Sequence, residues 1–464
     1  MDSDRSLNVF AMVGGPGRSQ ATTPVASGPG RSETTAPAVG GFGRPQGAPL
    51  RVGFVSSFPP RRCGIASFTA DLAAALRRAS QPVRAVAVAV DPGWEVLVRS
   101  RPYPGDVEDV YPMVRERREE YPGAAAWLAR RGCHVVSLQH EYGVYGGPYG
   151  RWVVDFAEAL RVPLVTTLHT VLRHPTPEQR AILVRLAQRS RLVVVLARSA
   201  VELLERVYGI EPSRVVVIPH GTPAFRPVDP ARARQALGLG DRPVLLTYGL
   251  LSPGKGIEQA IAALVPVARR YPDVLYLVAG QTHPNVRQRM GEAYRERLLQ
   301  MAGQLGVADN LRFVDRYLEL EELAELLAAA DVYVTPYPNE EQVVSGTLSY
   351  ALAAGKAVVS TPFRYAREVL GRDRGLLCRF GDAESMAREI LRLLDSPELR
   401  RTLERRAFAF GQSMNWEIVA ERYIRVFTRA QAGGMGLLEP QERQVVGMGA
   451  GPASRTLSAW GRVP

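Results

Sequence analysis

Two lysines stand in a chain that otherwise writes its basic residues as arginine. Of 58 Lys and Arg residues, only Lys255 and Lys356 are lysine, and each directly follows a glycine at a predicted tight loop. An ammonium is a compact point charge where a guanidinium is a broad fork, so a lysine in such a turn suits a crowded phosphate or hydroxyl. Lys255 belongs to the string Gly249-Leu-Leu-Ser-Pro-Gly254-Lys255-Gly256, which leads from an apolar run into a helical pattern. Backbone N–H groups at a helix N-terminus, with a lysine beside them, make an anion site fit for a diphosphate. The string comes within one residue of the P-loop G-x-x-x-x-G-K-[ST], but Gly256 stands where a magnesium-binding hydroxyl is needed, and the string does not open the first βα unit. It reads as a phosphate-binding turn and not as a P-loop.

A second candidate anion site follows the predicted strand DVYVTPY (331–337). Ser345, Gly346 and Thr347 read there as a helix N-terminal cap with exposed amides, and Glu340 and Glu341 just before them offer carboxylates to sugar hydroxyls. The histidines point the same way. Of six, His140, His169 and His220 fall at or just past predicted strand ends in the first half, His174 follows His169 closely, and His283 holds an equivalent place in the second half. A lone loop histidine is usually a structural cap, whereas five on one edge point to a polar site; Glu141, next to His140, is placed in the same substrate-binding set. In PPRRCGIASF, Gly64 sits at a strand-to-helix turn, where a missing side chain lets a sugar or phosphate approach the backbone, or simply serves the turn.

These groups need a scaffold, and the chain supplies strand and helix in alternation. Apolar runs at 51–57, 83–90, 133–139, 162–169, 191–197 and 214–219 are followed by a second set at 242–249, 274–280, 311–316, 331–337 and 356–361. Unbroken apolar strands alternating with helices imply parallel sheets covered on both faces, here two doubly wound α/β domains joined by a linker near 222–240. Ligands of such sheets bind outside the carboxyl ends of the strands, where the histidines and the Lys255 turn fall. The expected division is a first domain over 49–225 and a second over 226–409, with a helix in 410–430. Tails over 1–48 and 431–464 are too rich in Gly, Pro, Ser, Thr and Ala to bury a core and are expected to be disordered.

Composition excludes several classes. Hydrophobic residues make up 46% of the 464, ample for real cores, yet no apolar run reaches the roughly 18 residues of a membrane span and the N-terminus lacks a signal-peptide pattern. A cytoplasmic protein is expected. Cys63, Cys133 and Cys378 are far apart and form no C-x-x-C pair, which argues against a zinc site or a disulfide framework. The net charge of +12 is spread along helices and no nucleic-acid motif accompanies it, so it suits anionic substrates, or peripheral contact with the inner membrane face, better than nucleic acid. No G-x-G-x-x-G follows a strand, which argues against a nicotinamide or flavin enzyme.

The blocks RVGFVSSFPPRRCGIASFTADLAAAL, TTLHT, VVVIPHGT, LLTYGLLSPGKGIEQAIAAL, VLYLVAGQTHP and ADVYVTPYPNEEQVVSGTLSYALAAGKAVVST, in this order, resemble the family 4 retaining glycosyltransferases of the GT-B fold over about residues 51–430. The resemblance implies two Rossmann-like domains facing a cleft, a nucleotide-diphosphate sugar held mainly by the second domain and a carbohydrate or lipid-linked acceptor held mainly by the first. It also implies a C-terminal helix crossing back to the first domain, a place that WEIVAERYIRVF (416–427) fits. Lys255 would bind the donor diphosphate, Gly64 would belong to the acceptor loop, His169 would contact the donor sugar, and His220 lies in the block closing the first domain. His169, Lys255 and Glu341 thus form the expected catalytic set, with Gly64, His140, Glu141, His220, Gly249, Gly254, Gly256, His283, Ser345, Gly346 and Thr347 as substrate-binding residues. The pattern departs from the family in two places. Gln342 and Tyr350 occupy the positions of its paired glutamates, so Glu341 serves the sugar only if its loop shifts by a residue; Leu250 replaces its phosphate arginine, for which His283 or Arg364 would compensate.

The chemistry implied is hexosyl transfer with retention, in which the diphosphate leaving group helps remove the acceptor proton. No protein nucleophile, metal or bound cofactor is needed, in keeping with a site that has histidines and backbone donors but no obvious carboxylate pair. Two alternatives remain open: a GT-B enzyme that is epimerase-like or phosphorylase-like, the latter needing pyridoxal phosphate with Lys255 or Lys356 as its lysine, and a noncatalytic nucleotide-sugar-binding protein, suggested by Leu250, Gln342 and Tyr350.

Overall fold

The computed structural model describes residues 48–91, 106–371 and 373–433; all but a few residues of the two expected tails lie outside this set. Seven strands build the first sheet: β1 (Arg51–Ser56), β2 (Arg84–Asp91), β3 (Val110–Val114), β4 (Val135–His140), β5 (Leu164–Leu168), β6 (Leu192–Val195) and β7 (Val215–Val217). They lie in the order β3-β2-β1-β4-β5-β6-β7, every pairing parallel. Six more build the second: β8 (Val244–Tyr248), β9 (Leu275–Ala279), β10 (Leu311–Val314), β11 (Val332–Thr335), β12 (Val358–Ser360) and β13 (Leu376–Leu377). Their order is β10-β9-β8-β11-β12-β13, again all parallel. The fold is thus the two-sheet α/β arrangement that the apolar runs imply.

The physical reason is burial on both faces. Every residue of β4, β5, β6, β8, β9, β11 and β12 is buried, so these strands are mainly apolar, and polar side chains among them such as Ser137 and Gln139 of β4 bond to each other. One face of the first sheet packs Val52, Phe54 and Val194 against Phe68 and Leu72 of the helix Gly64–Arg78. The other face packs Val55, Val136 and Leu138 against Tyr121, Leu128 and Phe156. Two edge strands escape a reading of apolar runs. In β3, VYPMV, Pro112 lies opposite Ala89 on the outermost strand, where a missing N–H costs no ladder bond, and β13 is only a pair of leucines.

Each sheet reverses its strand order once, between β1 and β4 in the first and between β8 and β11 in the second. A crevice opens at such a switch point because the connections leave toward opposite faces. The loops after β1 and β8 carry Gly64 and Lys255, so the topology brings the two glycine-rich turns to the ligand-binding edges.

The chain passes between the sheets twice. After β7 it runs through His220 and Gly221, and it returns at Met414–Trp416, where Thr222 N donates to Met414 O at 2.8 Å and Trp416 N donates to Thr222 O at 2.9 Å. The helix Trp416–Gln431 then buries Val419, Tyr423 and Phe427 in the core of the first sheet, and the Tyr423 hydroxyl meets Thr167 Oγ1 at 3.1 Å. Among the described residues no helix is long and apolar enough to cross a membrane.

Candidate active site

The second sheet supplies the charged wall of the crevice. Beyond β8 the chain turns at Gly249, passes through Pro253–Lys255 and enters the helix Ile257–Arg270. Gly256, at φ 63°, is the residue that redirects it; a Cβ there would also lie 2.1 Å from the Pro336 carbonyl oxygen, so the turn needs glycine for both backbone and packing. Beyond β11, the helix Gly346–Ala353 is capped by Ser345, whose Oγ accepts from Leu348 N at 3.3 Å. These two turns meet at Tyr337, a residue the sequence reading missed. Lys255 Nζ donates to the Tyr337 hydroxyl at 2.7 Å and lies 4.6 Å from the ring centroid. The same hydroxyl lies 2.9 Å from Thr347 Oγ1 and 3.4 Å from Ser345 Oγ.

Electrostatics follow from that geometry. Burial pushes the Tyr337 phenol up, but the Lys255 ammonium and the Ser345 and Thr347 hydroxyls outweigh it and leave the group below its ordinary value. Among the described residues Lys255 has no carboxylate partner and rests on a phenol. A Cβ on Gly249 would lie 3.3 Å from Lys255 Nζ and 3.1 Å from the Thr347 methyl, so Gly249, Lys255, Ser345 and Thr347 converge as the sequence suggests. Gly254 lies in the same turn, and His283 caps the helix Pro284–Met290, its Nδ1 accepting from Asn285 N at 3.1 Å. Burial, then the charges of Lys255 and Arg61, hold the His283 imidazole below its usual range.

The first sheet supplies a neutral, aromatic wall. His169 directly follows β5 and is 5% exposed; its Nε2 is 2.9 Å from Gln139 Oε1, and its ring meets Phe68 edge-on at 4.8 Å. The Gln139 amide nitrogen donates to Ser137 Oγ at 3.0 Å, so Oε1 must accept and His169 Nε2 must donate. Burial, reinforced by His220 and His140, lowers the His169 imidazole to about 3, and burial lowers His220 to about 4. Both are neutral at physiological pH, and the His169 tautomer leaves Nδ1 as a hydrogen-bond acceptor. His220 reaches the opposite wall: a Cβ on Gly346 would lie 2.9 Å from its Nε2, which explains glycine at that helix start. Gly64 is different, because a Cβ there would meet nothing within 4 Å. Packing does not demand glycine at this position, and the space before the helix Gly64–Arg78 is open.

The two walls touch. Ser67 Oγ lies 3.3 Å from the Tyr317 hydroxyl, and the Tyr350 hydroxyl donates to Asp71 Oδ2 at 3.2 Å, so one face of the helix Gly64–Arg78 meets two tyrosines of the second sheet's domain. Burial, only partly offset by the Tyr350 hydrogen bond and Arg78, raises the Asp71 carboxyl to about 6. Val343, on the loop before Ser345, is buried among Leu168, Val171 and Val195 of the first domain.

Several expectations are corrected. Lys356 is not a ligand lysine: it precedes β12, on the edge opposite the crevice, where it is buried near Asp331 and Glu404. His174 is exposed, unlike the other crevice histidines. His140 ends β4 but is fully buried, its ring edge-on to Tyr142 and stacked on Tyr145, with neither nitrogen hydrogen-bonded among the described residues, so it packs behind the wall and does not line it. Glu141 accepts from Thr170 Oγ1 at 2.5 Å and Tyr142 N at 2.9 Å, which engages it as an internal brace. Glu341 is held by Arg364 Nη2 at 3.1 Å and by Arg173 Nη1 at 3.7 Å, which uses the arginine invoked as compensation for Leu250. Gln342 turns back to Val344 O at 2.9 Å, and Tyr350 is committed to Asp71.

Comparison with known proteins places this geometry. Residues 63–224 match the family described as Glycosyltransferase Family 4, and residues 230–410 match Glycosyl transferases group 1. The chain is 33% identical to the D-inositol 3-phosphate glycosyltransferase of Acidothermus cellulolyticus over 58% of its own length and 63% of the relative's, so the match spans a little under two thirds of that protein. It is 30% identical to the D-inositol 3-phosphate glycosyltransferase of Segniliparus rotundus over 64% of its length and 67% of the relative's. The crystal structure of Anabaena HepE in complex with UDP and glucose superposes with a TM-score of 0.65 at 18% identity, covering 82% of this chain and 99% of that one. With two parallel Rossmann-like sheets meeting across a crevice and both halves matched in order, the chain belongs to family 4 of the glycosyltransferases, with the GT-B fold.

Proposed function

We propose that the protein transfers a hexosyl group from a nucleotide-diphosphate sugar to a hydroxyl of a sugar, glycan or lipid-linked acceptor, with retention at the anomeric carbon. The observation that carries this reading is the convergence of Lys255, Tyr337, Ser345 and Thr347 at the starts of two helices, an ammonium without a carboxylate partner among hydroxyl and amide donors. Such a wall suits a diphosphate, and as the glycosidic bond breaks the leaving group gains negative charge that Lys255 and the helix amides meet without reorganising. His169, neutral and with Nδ1 as acceptor, suits a donor-sugar hydroxyl and could not act as a cationic acid. The acceptor hydroxyl attacks from the face the diphosphate leaves, and a departing phosphate oxygen takes its proton. This route needs no protein nucleophile and no metal.

The UDP and glucose bound by HepE favour a nucleoside-diphosphate hexose as donor, and the names of the two relatives favour a phosphorylated polyol among acceptors. The +12 net charge suits an anionic acceptor, either in the cytoplasm or at the inner membrane face. The test is a thermal-shift screen against UDP, GDP, ADP and their hexose conjugates, without and with Mg²⁺, followed by NMR of the product's anomeric configuration. A ligand at 100 times its Kd stabilises by roughly 2.7 kcal/mol. Absence of any shift would remove the donor assignment, and an inverted product would remove retention. A second reading, a nucleotide-sugar-binding protein without transferase activity, is favoured by Gln342 and Tyr350, which bond within the protein where the family resemblance places carboxylates. Binding without release of nucleoside diphosphate, across a panel of polyol phosphates and lipid-linked glycans, would support it.

A further inference from the structure

We propose that Arg61, on the first domain's loop between β1 and the helix Gly64–Arg78, is a second cation for the donor diphosphate, reaching across the crevice to the Lys255 turn. The inference rests on the reading that the diphosphate binds at that turn.

The loop after β1 faces the turn directly. Arg62 Nη1 donates to Gln281 Oε1 at 3.3 Å, and the Arg62 guanidinium lies 5.1 Å from the Tyr317 ring centroid. Gln281 is tied to the lysine turn, since Leu251 N donates to Gln281 O at 2.9 Å and His283 N donates to Leu251 O at 2.9 Å. Arg62 is therefore spent on holding the two domains together. Arg61, one residue earlier, is not: its Nη1 is buried and has no hydrogen-bond partner among the described residues. A buried guanidinium N–H without an acceptor is costly, and an anion's oxygen would complete it. His283, bonded through its N–H to Leu251 of the lysine turn, feels the charges of both Lys255 and Arg61, in keeping with the contact that the neighbouring Arg62 makes to Gln281 beside that turn.

The ligand chemistry follows. Two cations held near His283, with no carboxylate bonded to either among the described residues, repel each other until an anion enters. A diphosphate is long enough to present oxygens to both, with the Lys255 point charge on one side and the planar Arg61 fork on the other. Gly64, with open space in front of it, keeps the approach clear on the same loop. Because Arg61 belongs to the first domain, the diphosphate is gripped from both sides of the crevice.

The experiment uses the full chain and its Arg61→Ala, Arg61→Lys and Lys255→Ala variants, titrated calorimetrically with UDP, GDP and ADP and with the matching nucleosides. Expected is a ~10–100-fold weaker Kd of Arg61→Ala for the diphosphate that the parent binds, from a lost charged hydrogen bond. Little change is expected for the nucleoside, and Arg61→Lys should recover part of the loss. If Lys255→Ala weakens binding and Arg61→Ala does not, the role of Arg61 is overturned and the lysine site stands. If neither variant weakens it, or the parent binds no diphosphate, both fall together. Equal weakening of nucleoside and diphosphate by Arg61→Ala would mark a structural role and also overturn the proposal. Should Arg61→Ala fail to fold, Arg61→Gln, which keeps length and polarity without charge, is read against the same outcomes.

Discussion

The two walls of the crevice are built on the same topology and differ in kind. The second domain presents Lys255, Tyr337, Ser345 and Thr347, hydroxyls arranged around an ammonium. The first presents His169 and His220, both buried and neutral, around Phe68 and Trp416. Charge that stabilises a leaving group belongs on the first kind of wall, while the second offers shape and neutral hydrogen bonds to a sugar ring. A doubly wound sheet specifies where a ligand lies; the side chains at its strand ends decide which part of the ligand that is.

The contrast is broken most severely by Lys255→Ala. Removing the cation should lower kcat/KM by about 10²–10³, roughly 2.7–4 kcal/mol, with steady-state kinetics as the measurement. A variant within threefold of the parent would move the diphosphate away from this wall.

The seam between the walls should show a pH dependence through Asp71. Its carboxyl is raised from 3.8 to about 6 when folded, so the folded chain holds a proton that the unfolded chain releases between these values. Stability therefore falls as pH rises from about 4 to about 6, by on the order of 3 kcal/mol in full. Asp71→Asn, neutral throughout, should flatten this dependence and be the more stable protein at pH 8 by urea unfolding. An identical pH dependence in parent and variant would show that Asp71 is not the group responsible.

On the neutral wall, His169→Ala should reduce kcat by about 30-fold, roughly 2 kcal/mol, while nucleoside diphosphate affinity changes by less than threefold. Because His169 titrates near 3, the parent's kcat should show no step near pH 6.5 that this substitution abolishes. The smallest effect expected is that of Gly346→Ala, which places a methyl 2.9 Å from His220 Nε2 and should cost about 1–2 kcal/mol in thermal unfolding through overpacking at the seam. A neutral result would mean that the walls separate easily at this point.

Much of this was legible in the chain. The strand runs, the Gly249–Gly256 turn, the Ser345 cap and the strand-end histidines all rest on local patterns of apolar residues, glycine and capping groups, which report backbone geometry within a few residues. The misses have equally physical causes. Pro112 disguised β3, because an edge strand tolerates what a central strand cannot. Lys356 repeats the Gly-Lys signature of Lys255 but enters a strand instead of leaving one, which places it at the opposite edge. Tyr337 carried only its position just past a strand end as a signal, too common a feature to single out.

The sequence alone therefore determined the two wound sheets and the strand ends that carry the glycine-rich turns, since burial on both faces and tight turns are properties of short stretches, and the order of its blocks carried the resemblance to the family. Only the tertiary structure decided which groups share a site. Lys255 finds Tyr337 across 82 residues, where the loops after the neighbouring strands β8 and β11 meet, and Tyr350 finds Asp71 across 279, where the domains of the two sheets meet. No local pattern encodes that approach, because each partner satisfies its own helix or turn equally well without the other.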